Sequence, residues 1–244
     1  WPIRRFFGVF PASVDPDALV ELADSPDGFD TEVDEVAILA YQVWYLAPSL
    51  PIRTLIKTHP EAFRDRRVVT VIACRNMWYS AAIEVAGLLR SAGAHSVEVV
   101  AAIDTRPQAV TFVTTLRWLL TGKREPFMRF GRAGVGADEL ERVARVGKEL
   151  VDGHCPSDAA PVVPALAAAD LLAGNLFRRW GAMVRSAGRV GPLAKAASLV
   201  VFVLGLGIGI AIGLPVIACA ALLGGARFGS GVQKYLHQRI SFGP

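Results

Sequence analysis

Two aromatic pairs, Trp44-Tyr45 and Trp78-Tyr79, are the residues best suited to chemistry in this chain. Each follows an apolar run, and each has polar company: Ser49 beyond the first pair, Arg75 and Asn76 just ahead of the second. Adjacent rings with polar neighbours suit a flat heteroaromatic ligand, held by stacking and by hydrogen bonds to its edge. The candidate ligand-binding residues are therefore Val43, Trp44, Tyr45, Leu46, Ala47 and Pro48 in one loop, with Arg75, Asn76, Met77 and Trp78 in the other. The ordinary alternative is that the tryptophans cap the end of a sheet and pack on the helices that follow.

Other reactive residue types do not assemble. His59, His95, His154 and His237 have no metal-like spacing among themselves or with Cys74, Cys155 and Cys219, so no metal site is read. His154 and Cys155 are adjacent in a proline-rich stretch, a poor setting for a nucleophile and its base. No serine elbow or phosphate-binding P-loop occurs, and Thr121-Gly122-Lys123 lacks the glycine that should precede it. No catalytic residue is assigned. Thr111, Thr114, Thr115, Arg117 and Trp118 lie in a long insertion that suits either a substrate lid or a plain surface excursion.

The elements that position the two loops alternate between strand-like and helical patterns over residues 36–152, which predicts an α/β domain. Val36–Gln42, Arg67–Cys74 and Ser96–Ile103 are apolar runs of the kind found in parallel sheets covered on both faces. Trp78, Ala82, Val85 and Leu89 form one helix face, with Gly93 at the expected C-terminal cap. Asp138 and Glu141 suggest a capping box for a helix burying Leu140, Val143, Gly147, Leu150 and Val151. In such folds ligands sit beyond the carboxyl ends of the strands, where both aromatic loops fall.

The 244 residues are 52% hydrophobic, which excludes a disordered chain. All 22 acidic residues lie at or before Asp170, and the 74 residues beyond it hold eight basic side chains and no acidic one. Within that tail, residues 196–226 are 31 uncharged residues, longer than the roughly 20 needed to cross a bilayer. Pro215 divides the run, so one crossing is expected in place of two; basic residues on both flanks leave a re-entrant hairpin open. Residues 166–195 mix Leu172, Leu176, Phe177 and Trp180 with Arg178, Arg179, Arg185 and Arg189, as in an interfacial helix whose arginines meet headgroups. Gly205, Gly209 and Gly213 recur every four residues, a spacing that suits close helix contacts and self-association. Residues 153–165 read as a linker and 227–244 as a basic tail. Nucleic acid is disfavoured as a partner, because the basic residues flank a lipid-like segment.

The run VAILAYQVWYLAPSLPIRTLIK resembles the third strand and following loop of flavodoxin-like proteins, and VVTVIACRNMW is similar to their fourth strand and loop. With WPIRRFFGVFP ahead and TFVTTLRWLLTGK behind, the pattern is closest to flavodoxin-like proteins labelled dialkylresorcinol condensing enzymes. The resemblance spans about residues 1–152. It implies a flavodoxin-like doubly wound parallel sheet in the α/β class, FMN as cofactor, and the two aromatic loops on either side of the flavin. It also implies an FMN-dependent oxidoreductase linked to aromatic lipid biosynthesis, using a lipid-like or quinone-like substrate and NAD(P)H or another electron donor. The family's Thr/Ser- and Gly-rich phosphate loop has no counterpart here, since residues 1–35 hold only Gly8 and Gly28. The expectation is thus a domain lacking its first strand and phosphate loop, followed by a C-terminal membrane helix that holds it on the cytoplasmic face of a lipid bilayer. The alternative is a non-catalytic, membrane-tethered module using the same fold for protein contacts.

Overall fold

A computed structural model describes residues 2–23, 36–152, 158–241 and 243. Their α/β architecture is built on four strands in the order β2-β1-β3-β4, where β1 is Ala37–Trp44, β2 Ala47–Pro48, β3 Arg67–Ala73 and β4 Ser96–Ala102. The three long strands are parallel neighbours, with Ala37 opposite Val68 and Arg67 opposite Ser96. They match the three expected runs to within two residues, because continuous β-branched sequence leaves few other ways to bury both faces. Only the two-residue β2 joins the other edge of β1, antiparallel at Val43 and Trp44. The rest of that edge meets no strand among the described residues.

Helices cover both faces. On one side Leu39, Tyr41, Val68, Ile72, Val97 and Val99 pack beneath α2 (Leu50–Thr58) and α3 (Tyr79–Ser91). Helix α3 contributes the expected stripe of Ala82, Val85 and Leu89, and Gly93 takes φ +86°, the left-handed conformation that terminates a helix cheaply only at glycine. On the other side Val69 and Val100 meet Val146 and Leu150 of α5 (Ala137–Val151). This helix is rotated from the expected face: Leu140 is 58% exposed and Gly147 is exposed, while Val146 is buried. No capping box forms either, Gly136 being the N-cap without a side-chain bond. The acidic residue that turns inward is Glu139, whose backbone partner just beyond β4 is described below. Because α5 reaches only β3 and β4, the same face of β1 stays open, with Ile38 and Trp44 exposed.

The insertion after β4 contains one helix, α4 (Gln108–Thr121), closed by Gly122 at φ +75°. An N-terminal helix, α1 (Pro2–Ser13), and the long α6 (Pro164–Val190) complete the cap over one end of the sheet. The expected linker is only partly described, since residues 153–157, with His154 and Cys155, lie outside the described set. The remainder is docked: Ala101 N–H donates to the Ala159 carbonyl at 2.9 Å.

From Pro192 to Ile240 the chain forms one helix long and apolar enough to cross a membrane, its most apolar 18-residue stretch having a mean hydropathy of 2.6. It comprises α7 (Pro192–Ile208), a wide turn at Gly209–Gly213 and α8 (Leu214–Ile240). Pro215 does not break it. The ring would clash with the carbonyl of Ala211, four residues earlier, and that carbonyl belongs to the widened π-helical turn, which makes room. The kink comes at Gly225, with φ 50° and ψ −132°. Over its described residues the expected basic tail is docked: Leu236 and Ile240 are buried in the main core with Leu89 and Val97.

Candidate functional site

The carboxyl ends of β1 and β3 are the place to look for a ligand, and the chain's own helices fill much of that place. Tyr45 and Leu46 make the tight turn after β1 with φ 53° and 62°. That turn swings Tyr45 into an aromatic cluster with Phe6, Phe10 and Phe177, and its hydroxyl donates to the Phe6 carbonyl at 2.6 Å. Burial raises its pKa far above the ordinary phenol value. Ala47 and Pro48 are buried in β2, and Val43 is half-buried.

The second loop turns inward. Trp78 is fully buried, stacked on Tyr79 with ring centroids 4.3 Å apart, and its indole Nε1 has no hydrogen-bond partner among the described residues. Asn76 is also buried, whereas Met77 and Arg75 are half-buried. Burial lowers the Arg75 guanidinium pKa against the opposing pull of Asp104. Cys74, at the end of β3, is pushed up to about 12 by burial first and then by Asp170, so it is a protonated core thiol and not a nucleophile.

Trp44 alone of the four ring residues faces an opening. It lines an open cleft of about 550 Å³ between α1, the uncovered face of β1 and the start of α2, with Val9, Ser13, Ala40 and Gln42 among the other walls. Among the described residues none that lines it is charged, and none comes from the Arg75–Trp78 loop. The two aromatic pairs therefore do not converge on one ring-shaped space. The residues do not fit FMN as the resemblance implies. Among the described residues the cleft offers no cation for a phosphate dianion, and Trp78 is enclosed in the core. The helix start that the cleft touches, that of α2, has Pro51 in its first turn and Ile52 N–H already bonded to the Ser49 carbonyl.

The N-terminus of α3, the helix start that follows the second loop, is already occupied. Asp170 of α6 reaches it across 90 residues of sequence, accepting from Ser80 N at 2.9 Å and Tyr79 N at 3.1 Å. The Ser80 hydroxyl donates to the Asp170 carbonyl, and the Tyr79 hydroxyl accepts from Val163 N. A carboxylate here satisfies orphan N–H groups and meets the positive end of the helix dipole. It is fully buried, and burial lifts its pKa from 3.8 to about 6 even though the Ser80 and Tyr79 bonds pull it down. Gly174, one turn further along α6, lets the helix approach Ser80 closely, and Gly181 does the same against Val14 of the loop after α1.

Several charged residues at this end were not expected. Asp104, 3% exposed, holds Arg106 through Nε at 2.8 Å and through Nη2. Glu139 accepts from Ile103 N at 2.9 Å and pairs with Arg142, which also donates to the carbonyls of Ala101 and Asp158. Burial alone would raise the Glu139 pKa, but the Arg142 and Ile103 bonds outweigh it and hold it below the usual carboxylate range. These groups fasten the segment after α5 to β4. The available signal was a carboxylate directly ending an apolar strand at Asp104, and an acid and a base three apart on α5.

Thr111 and Thr114 are buried, with the Thr114 hydroxyl donating to the Val110 carbonyl inside α4; Trp118 is exposed, and Arg117 is half-buried over the Phe127 ring. Among the described residues no three His, Cys, Asp or Glu side chains stand close enough to hold a metal ion. Compared with family models, curated proteins and solved structures, the chain matches none, so the flavodoxin-like resemblance rests on the quoted segments alone.

Proposed function

We propose that this protein is a membrane-attached interaction module, an α/β domain held on a bilayer by its C-terminal helices. Of the two readings the sequence allows, this one is favoured over a flavin oxidoreductase by a single observation. The helix that leads to the apolar segment places Asp170 on the start of α3, so the N–H groups that follow β3 and the second aromatic loop are already bonded and are not open to a cofactor anion. Attachment is supported by the uncharged run of residues 196–226 and by the exposure of its side chains, among them Val200, Leu204, Ile208, Ile212, Val216, Leu222 and Leu223.

The test has two arms on the full chain. Flotation with phosphatidylcholine–phosphatidylglycerol vesicles should carry the protein upward, and an FMN titration followed by visible absorbance should show no uptake. A chain that stays at the bottom of the gradient refutes attachment. A chain that takes up FMN stoichiometrically refutes the interaction-module reading and restores the oxidoreductase.

A further inference from the structure

The apolar helix begins and ends on the same body. Its start runs back along α6 after the turn at Gly191: Gly188 lies against Lys195, and the Trp180 ring lies against Gly205, where an added Cβ would meet it at 2.2 Å. In the middle, Phe202 is 2% exposed and stacks on Phe10 of α1, centroids 4.0 Å apart and planes 11° from parallel. Phe177 of α6 closes the same cluster at 5.6 Å from Phe202. Gly205 is thereby used within the chain, while nothing lies within 4 Å of where a Cβ would sit on Gly209 or Gly213.

Beyond the bend at Gly225 the chain returns to the domain. Gly229 packs on Pro164, Leu236 and Ile240 enter the core beside α3, and Gly243 lies against Ser96 at the amino end of β4. A conventional single span would leave residues 227–243 across the bilayer from α3 and strip Leu236 and Ile240 from the core. The 33 residues from Pro192 to Gly224 are instead a rod about 50 Å long, whose stretch from Lys195 to Gly205 lies against α6. Helix α6 carries an outward row of its own, Leu172, Leu176, Met183 and Val190, while Arg185, expected to meet headgroups, turns inward to the Pro11 carbonyl and Asp15.

We infer that the apolar helix is a monotopic anchor: it lies in one leaflet beside α6, and both of its flanks stay on the membrane side that holds the α/β domain. The occupant of this exposed apolar face is a lipid bilayer, which accepts side chains all round without requiring polar partners. The inference rests on the membrane attachment proposed above and adds its topology.

The test adds the full chain from outside to preformed, sealed phosphatidylcholine–phosphatidylglycerol vesicles. A cysteine is placed in the tail, Gln238→Cys, or on α5, Lys148→Cys, with Cys155→Ala and Cys219→Ala as background. Both new sites are exposed. A membrane-impermeant maleimide should label the two to the same extent before detergent is added, and Gln233→Cys, a second exposed tail position, should repeat the result. Labelling of the tail only after detergent, with Lys148→Cys labelled beforehand, means a transmembrane path and overturns the inference while leaving attachment intact. Failure of the unmodified chain to float with the vesicles overturns attachment and topology together.

Discussion

The sign of one substitution decides whether α6 is docked on the α/β domain. At Gly174 an added Cβ would sit 2.5 Å from Ser80 Oγ and 3.0 Å from Ser80 Cβ. Rotating the serine does not relieve the clash, because its Cβ is itself too close and moving the hydroxyl breaks its bond to the Asp170 carbonyl. Overpacking of this kind costs about 1–3 kcal/mol. Alanine is also a better helix former than glycine by about 1 kcal/mol, so Gly174→Ala should lose a net ~1 kcal/mol if α6 is docked and gain ~1 kcal/mol if α6 is a free helix. The assay is urea unfolding in mild detergent, followed by helical circular dichroism and by tryptophan fluorescence. Ser80→Ala removes the Oγ contact, so the double variant should be more stable than the sum of the two single losses predicts, by about 1 kcal/mol. A Gly174→Ala chain more stable than the parent would refute the docking of α6, and with it the occupied start of α3.

Asp170 makes stability depend on pH in an unusual sense. Its pKa rises from 3.8 to about 6 in the folded chain, so between those values the folded state binds more protons than the unfolded one. Stability should therefore climb as pH falls from about 6 to about 4, by at most about 3 kcal/mol, and Asp170→Asn should remove that slope in denaturation curves taken across the range. Glu139→Gln should cost about 3 kcal/mol in urea unfolding, because it leaves the Arg142 guanidinium without its carboxylate in a largely buried site; a loss within error would mean the pair does not latch residues 158–159 to β4. Leu236→Ala should cost about 2–5 kcal/mol and expose Lys234 and Arg239 to trypsin, whereas an unchanged midpoint would mean the tail is not part of the core.

Much of the α/β scaffold was legible because its signals are local. Arg67–Ala73 and Ser96–Ala102 are β-branched runs that only a covered strand accommodates, and Gly93 marks a helix end wherever it is read. The face of α5 was not legible in the same way. Both Leu140 and Val146 suit a core-facing position, and the choice between them falls to Glu139, whose carboxylate has a backbone donor at Ile103 and a guanidinium at Arg142 only when the helix is turned that way. The two aromatic loops were correctly placed at the sheet end, yet a loop's position does not say which way its rings point. Trp78 went into the core and Tyr45 toward α1, because α6 and α1 supply apolar surface there that no residue near them in sequence announces.

The apolar segment divides most sharply between the two levels. Composition alone determined that residues 196–226 form an uncharged run long enough for a bilayer and that the acidic and basic residues part company at Asp170. Tertiary structure alone decided where the ends of that run lie. A span is recognised by summed hydropathy, which is blind to direction, whereas its course is set by contacts between residues far apart in sequence: Phe202 on Phe10, Asp170 on Ser80, Leu236 in the core with Leu89. Those contacts depend on shape and on buried hydrogen bonds, which exist only once the chain has folded.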